Sequence, residues 1–75
     1  MAVKDTWEPS ESDIAWVSNL MRIMKDGSSW GMPMNGTVYK IDHKNKRLTL
    51  VEGKVDRMFF RNKKCFAKIG YEVME

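Results

Sequence analysis

The chain has 75 residues, 43% of them hydrophobic, with 13 lysine or arginine and 10 aspartate or glutamate side chains and a formal net charge of +3 at pH 7. A chain of this length forms a single domain whose interior is too small to enclose a large cofactor. Its hydrophobic share is too high for a disordered tail, so we expect a folded unit.

The chain opens with a polar stretch that leads into the clearest helical pattern of the sequence. Residues 1–9 are expected to form a flexible arm, and residues 10–75 the single folded domain. Ser10, Ser12 and Asp13 have short side-chain oxygens that can cap a helix or lie in its first turn, so the helix is expected to begin near residues 10–12. Its apolar residues recur at helical spacing and are expected to form one buried face: Ile14, Trp16, Val17, Leu20, Met21, Ile23 and Met24. Gly27 is expected to close this helix in the left-handed conformation.

From residue 29 the large side chains recur at every second position, which is typical of a strand. The first strand carries three of them on one face: Trp30, Met32 and Met34. Pro33 has no backbone donor, which predicts that this strand lies at an edge of the sheet. Asn35-Gly36 predicts a tight hairpin turn. Two further strands are predicted over residues 37–41 and 47–51, joined by a polar turn.

A second helix is predicted after the third strand. Asp56 can cap a helix that runs to about Ile69, with an asparagine, Asn62, in the middle of its apolar face. In the competing interpretation residues 55–60 form another strand and the helix begins at Asn62. The longer helix is the preferred interpretation of the two. Residues 71–74 are expected to be extended and able to pair with the sheet.

These elements predict an α+β fold of the order α-β-β-β-α. Three strands form an antiparallel meander, two helices cover one of its faces, and a short C-terminal strand is possible. An isolated hairpin is marginal in water, so the helices are needed to cover the apolar face of the sheet.

The sequence contains no catalytic or metal-binding pattern. His43 lies in a lysine-rich turn and is expected to be an exposed turn residue. Asp42 is its neighbour in the sequence, but two adjacent residues of a turn do not make a catalytic dyad. Cys65 is expected to be a small buried side chain. The acidic residues before the first helix fit its positive end better than they fit a metal site. We therefore expect a protein that is not an enzyme and has no cofactor.

The cellular setting follows from cysteine content and from the distribution of apolar residues. Cys65 is the only cysteine, which excludes an intramolecular disulfide and favours a reducing compartment. Residues 1–9 lack the apolar segment of a signal peptide, and no run approaches the roughly 18 apolar residues of a membrane span. A cytoplasmic protein without a membrane partner is expected, either a monomer or a homodimer.

The first candidate site is a protein-binding surface on the first strand. Trp30, Met32 and Met34 share one face of a predicted edge strand, and Tyr39 lies on the neighbouring strand. A contiguous tryptophan and methionine patch at an edge is typical of a surface that binds a partner. The same side chains could instead be buried beneath the helices, and the sequence leaves this open.

The second candidate site is a basic surface for nucleic acid. Residues 27–75 carry ten basic and five acidic side chains (net +5), whereas residues 1–26 carry three and five (net −2). Aromatic residues are interleaved with the basic ones, a mixture that can contact phosphates and stack bases. The candidates are Lys44, Lys46, Arg47, Arg61, Lys63 and Lys64. A solvated face explains such a bias more often, so nucleic-acid binding is the alternative hypothesis.

The order of elements resembles small accessory proteins encoded by bacteriophages. The resemblance covers residues 12–73 and depends mainly on Trp30-Gly31-x-Pro33-x-x-Gly36 and on Gly70-Tyr71. It implies no catalytic residues. It implies instead a non-enzymatic protein in the host cytoplasm that binds a host protein and modulates or inhibits it by stoichiometric contact.

Overall fold

The computed structural model of the protein describes residues 6–31 and 36–75. Its elements are α1 (Glu11–Ile23), β1 (Ser29–Gly31), β2 (Val38–Asp42), β3 (Arg47–Glu52), α2 (Arg57–Lys68) and β4 (Glu72–Met74). The strands form one four-stranded sheet in the order β1-β2-β3-β4. This confirms the predicted α+β class. The possible C-terminal strand is present as β4, and it pairs with β3 in parallel, so the sheet is mixed.

Helix α1 begins where the capping residues predicted it. The Asp13 backbone N–H donates to the Ser10 hydroxyl at 3.2 Å, and the Ser10 backbone N–H donates to the Asp13 carboxylate at 3.0 Å. This reciprocal pair satisfies two amides that the first helical turn leaves without a backbone acceptor.

The described part of the chain contains no helix long and apolar enough to cross a membrane.

The end of α1 differs from the prediction. The helix stops at Ile23, and Met24 already has extended backbone angles, φ −82° and ψ 136°. Gly27 does have positive φ, +81°, but it lies in the turn that follows, where its N–H donates to the Ile41 carbonyl at 2.8 Å. The helix ends before Gly27 because the backbone groups of this turn form hydrogen bonds with the sheet.

The same turn sets the register of the first hairpin. The Ile41 N–H donates to the Ser28 carbonyl at 2.9 Å, and Gly31 lies opposite Val38. A two-residue turn at Asn35-Gly36 with an unbroken ladder would instead place Gly31 opposite Lys40, so the observed register differs by two residues from that arrangement. Asn35 lies outside the described residues.

The core lies between the helices and one face of the sheet. Cross-strand partners share a face, and the pairs Ile41 with Leu48 and Leu48 with Val73 place buried side chains of three strands side by side. Phe59 and Phe66 of α2 are also fully buried there. The opposite face of the sheet is uncovered by either helix, so the domain has two layers.

Helix α2 is the longer of the two predicted alternatives. The Phe59 N–H donates to the Asp56 carboxylate at 3.0 Å, so Asp56 is the N-cap that the sequence predicted. Asn62 is buried in the middle of the apolar face, and its amide lies 3.5 Å from the Tyr39 hydroxyl, which gives each polar group a partner. Because α2 connects β3 to β4, it is the crossover that a parallel pair of strands requires.

Candidate protein-binding surface

Two tryptophans meet at the β1 end of the sheet. Trp30 of β1 and Trp16 of α1 have ring centroids 5.4 Å apart with an angle of 58° between their planes. Trp30 is half-buried against the core, whereas Trp16 is 44% exposed. A tilted arrangement is one that aromatic rings prefer, and the exposed part of Trp16 presents this pair to solvent.

Ile23 extends this surface along α1. It follows Trp16 by seven residues, about two helical turns, so both side chains lie on the same side of the helix. Ile23 is 75% exposed, which is unusual for a large aliphatic side chain on a helix that packs against a core. We call Trp16, Ile23 and Trp30 together the tryptophan edge.

The backbone of β1 adds hydrogen-bonding groups to the tryptophan edge. The bond from Ile41 to the Ser28 carbonyl makes residues 28 and 41 a hydrogen-bonded pair. Backbone groups alternate in direction along an antiparallel strand, so those of Ser29 and Gly31 point away from β2. Both residues are exposed, and β1 is the first strand in the sheet order. Within the described residues the prediction of an edge strand is therefore confirmed.

The structure places the other predicted partner-binding residues differently. Met32 and Met34 lie outside the described residues. Tyr39 is fully buried, and its ring stacks on Phe59 with centroids 6.3 Å apart and an interplanar angle of 24°. It belongs to the core and offers no surface to a partner, because its position alternates with exposed residues and faces the helices.

Trp16 and Ile23 were predicted to lie on the buried face of α1, and this prediction is wrong. The buried side chains of this helix are Val17, Leu20 and Met21. Trp16 and Ile23 lie at one margin of the predicted apolar arc, beside the β1 end of the sheet. An apolar arc covering half of a helix is wider than the stripe that usually faces a core. This width was the sequence signal that residues at the margin of the arc would be exposed.

The six basic candidates do not form one surface. Lys44, Lys46 and Arg47 are exposed around the β2–β3 turn, and Lys44 lines a cavity of about 420 Å³ that it shares with two carboxylates, Asp26 and Asp42. Nearby carboxylates lower the attraction that this turn exerts on phosphates.

The basic residues of α2 divide into two groups. The Arg61 guanidinium lies 5.2 Å from the centre of the Trp7 ring, and the Lys64 ammonium donates to the Trp7 carbonyl at 2.7 Å. These contacts fasten the described end of the predicted flexible arm to α2. Lys63 is exposed and faces the groove beside β4.

His43 connects three elements and is not the exposed turn residue that the sequence predicted. Its Nε2 lies 2.6 Å from the Met24 carbonyl and its Nδ1 lies 2.7 Å from the Tyr71 hydroxyl. Its backbone N–H donates to the Asp26 carboxylate at 2.7 Å. A carbonyl can only accept, so Nε2 carries the hydrogen. With both ring nitrogens engaged, His43 holds the end of α1 against the segment before β4.

Among the residues that the structure describes, Asp42 and Cys65 have shifted pKa values, and both shifts have structural causes. Hydrogen bonds from the Asn45 side-chain amide and backbone N–H hold the pKa of Asp42 below its ordinary value. Burial and then the nearby Asp13 charge raise the pKa of the Cys65 thiol, so it is protonated and a poor nucleophile at neutral pH. Residues 6–31 and 36–75 contain no group of three potential metal-ligating side chains.

Comparison with protein-family models, with curated proteins and with solved structures gave no match. Function is therefore inferred from the geometry of the described surfaces.

Proposed function

We propose that the protein is a small non-enzymatic intracellular binding protein that modulates or inhibits another protein by stoichiometric contact through the tryptophan edge. The resemblance to bacteriophage accessory proteins extends this proposal to a phage-encoded protein whose partner is a host protein in the host cytoplasm.

The observation that carries the proposal is the paired exposure of Trp16 and Ile23 beside Trp30. Tryptophan is enriched among the few residues that supply most of the binding energy in protein interfaces. Leaving Trp16 and Ile23 in water forgoes the hydrophobic free energy that burial would give, roughly 1.5–3 kcal/mol for a large side chain. The adjacent Ser29 and Gly31 backbone groups can also pair with an extended segment of a partner.

A comparison of two exposed aromatic residues tests the proposal. Trp16→Ala removes an aromatic side chain from the tryptophan edge, whereas Phe60→Ala removes one of nearly equal exposure, 47%, from α2. Affinity purification from bacterial lysate with mass spectrometry identifies the proteins that wild type retains. We expect Trp16→Ala to lose the partner and Phe60→Ala to keep it, because hot-spot residues dominate binding.

Folding and stoichiometry complete this test. Circular dichroism checks that each variant keeps the wild-type spectrum, and light scattering gives the mass of the isolated complex. A folded Trp16→Ala protein that retains the same partner would contradict the placement of the interface. Light scattering of the protein alone also distinguishes a monomer from a homodimer formed through this edge.

A second candidate function is nucleic-acid binding through the solvent face of α2. Phe60 is exposed there, and the exposed Lys63 follows it by three residues, so the two side chains are neighbours on the helix surface. Exposed aromatic rings between lysines can stack bases and contact phosphates. Single-stranded and double-stranded oligonucleotides titrated at low and high salt test it. Binding weakened by salt and by Phe60→Ala, but not by Trp16→Ala, would support this candidate, and absence of salt-sensitive binding would remove it.

A further inference from the structure

A groove of about 310 Å³ lies between α2 and β4, at the opposite end of the sheet from the tryptophan edge. Strand β4 is the last strand in the sheet order, so the groove runs along a second sheet edge. Two of the residues that line it, Ala67 and Gly70, have almost no side chain, which leaves room beside the strand. The lining is Lys63, Ala67, Gly70, Tyr71, Glu72 and Val73.

The backbone of β4 offers hydrogen-bonding groups to this groove. The Glu72 N–H donates to the Lys46 carbonyl at 2.9 Å, so the backbone groups of Glu72 face β3. Direction alternates along a strand, which turns the N–H and carbonyl of Val73 toward the groove. The Val73 side chain is fully buried and opposite Leu48, so it packs this strand against the core.

The charges around the groove differ on its two sides. Lys63 is exposed on the helix side, and the Val73 side chain points to the same side. Glu72 and Met74 are exposed on the opposite, uncovered face of the sheet. Three positions of a strand paired antiparallel beside β4 therefore meet different side chains. The residue opposite Val73 lies near the positive charge of Lys63. The residue after it lies beside the negative charge of Glu72, and the residue before it lies beside the apolar Met74.

We propose that the groove between α2 and β4 binds an extended peptide segment that pairs antiparallel with β4 and carries the sequence pattern apolar, acidic, basic. The peptide backbone bonds to Val73, its acidic side chain contacts Lys63, its basic side chain lies beside Glu72, and its apolar side chain packs on Met74. Main-chain pairing of this kind gives affinity, and the alternating side chains give specificity.

The test uses a fluorescent peptide, acetyl-Ser-Thr-Ile-Glu-Lys-Thr-Ser-amide, and a control peptide in which Glu and Lys exchange places. We expect the first peptide to bind more tightly than the control. Lys63→Glu should lower the affinity for the first peptide by about tenfold and raise the affinity for the control peptide, because it reverses the charge on the helix side of the groove. Lys68→Glu is the matched variant, since it reverses a charge on the same helix outside the groove. It should leave both affinities near wild type.

Two further measurements locate the peptide. Ala67→Trp fills the groove and should abolish binding, and the backbone amide of Val73 should gain protection from hydrogen exchange when peptide is present. Trp16→Ala should bind the peptide as wild type does, so failure of the tryptophan edge as an interface leaves this result unchanged.

Three results would overturn the proposal. They are no binding of the first peptide up to about 1 mM, equal affinity for the two peptides, or equal loss of affinity in Lys63→Glu and Lys68→Glu. A fourth result has the same effect: an oligonucleotide displaces the peptide, and Lys63→Glu and Lys68→Glu both lower the affinity for that oligonucleotide. The face of α2 is then a nucleic-acid surface, and the groove is not a peptide site.

Discussion

Replacing Gly53 with alanine tests how the chain passes from β3 into α2. Gly53 has φ of +122°, and a Cβ there would lie 2.6 Å from Cγ2 and 2.7 Å from Cα of Thr37. Because one of these contacts is with the backbone of a buried residue, side-chain rotation cannot relieve it. Positive φ costs a residue with a side chain roughly 1–2 kcal/mol, and overpacking adds roughly 1–3 kcal/mol. We expect Gly53→Ala to lower the free energy of unfolding by about 2–5 kcal/mol.

Gly27→Ala is the matched control for backbone strain alone. Gly27 also has positive φ, +81°, but a Cβ there has no neighbour within 4 Å, so we expect a loss of only about 1–2 kcal/mol. Urea denaturation at 25 °C, followed by far-ultraviolet circular dichroism, measures both variants with wild type as the reference. Equal destabilisation by the two substitutions would refute the close approach of Gly53 to Thr37.

Three further predictions concern the N-terminal segment, the start of α2 and the buried thiol. Trp7→Ala should lower the free energy of unfolding by about 1–2 kcal/mol in urea denaturation, because it removes the aromatic partner of Arg61; an unchanged midpoint would mean that Trp7 is not fastened to α2. Asp56→Ala should cost about 1 kcal/mol in the same assay through loss of the cap, whereas Asp56→Asn should retain most of it. Cys65 should react with iodoacetamide far more slowly in the native protein than in urea. Since folding raises the thiol pKa above its ordinary value of 9.0, the contribution of this group to stability is full below about pH 9 and is lost as pH rises through the raised value. This pH dependence should be absent in Cys65→Ala.

Much of the fold could be predicted because local signals and tertiary structure agree. Ser10 and Asp56 cap the helices that their sequence contexts predicted, and the strand predicted over residues 47–51 is present as β3. The end of α1 could not be predicted, because it depends on two hydrogen bonds to a distant strand, from the Gly27 N–H to the Ile41 carbonyl and from the Ile41 N–H to the Ser28 carbonyl. Helix propensity is a weak prior when tertiary bonds compete for the same backbone groups.

The candidate site was predictable only in part. Trp30 lies on an edge strand as expected, but the exposure of Trp16 and Ile23 depends on how α1 is positioned over the sheet, which periodicity does not specify. Burial of Tyr39 and the contacts of Arg61 and Lys64 with Trp7 are likewise long-range. Composition identifies residues that can bind a partner, whereas the fold decides which of them are free to do so.

Titration calorimetry decides whether the tryptophan edge is the interface, by measuring the affinity of a purified partner for Trp16→Ala, Ile23→Ala and Phe60→Ala. If the tryptophan edge is the interface, Trp16→Ala should weaken binding by about 30-fold, the equivalent of roughly 2 kcal/mol for a hot-spot residue. Ile23→Ala should weaken it by a smaller factor, and Phe60→Ala should leave it at the wild-type value. Wild-type affinity in both Trp16→Ala and Ile23→Ala would contradict the proposed function.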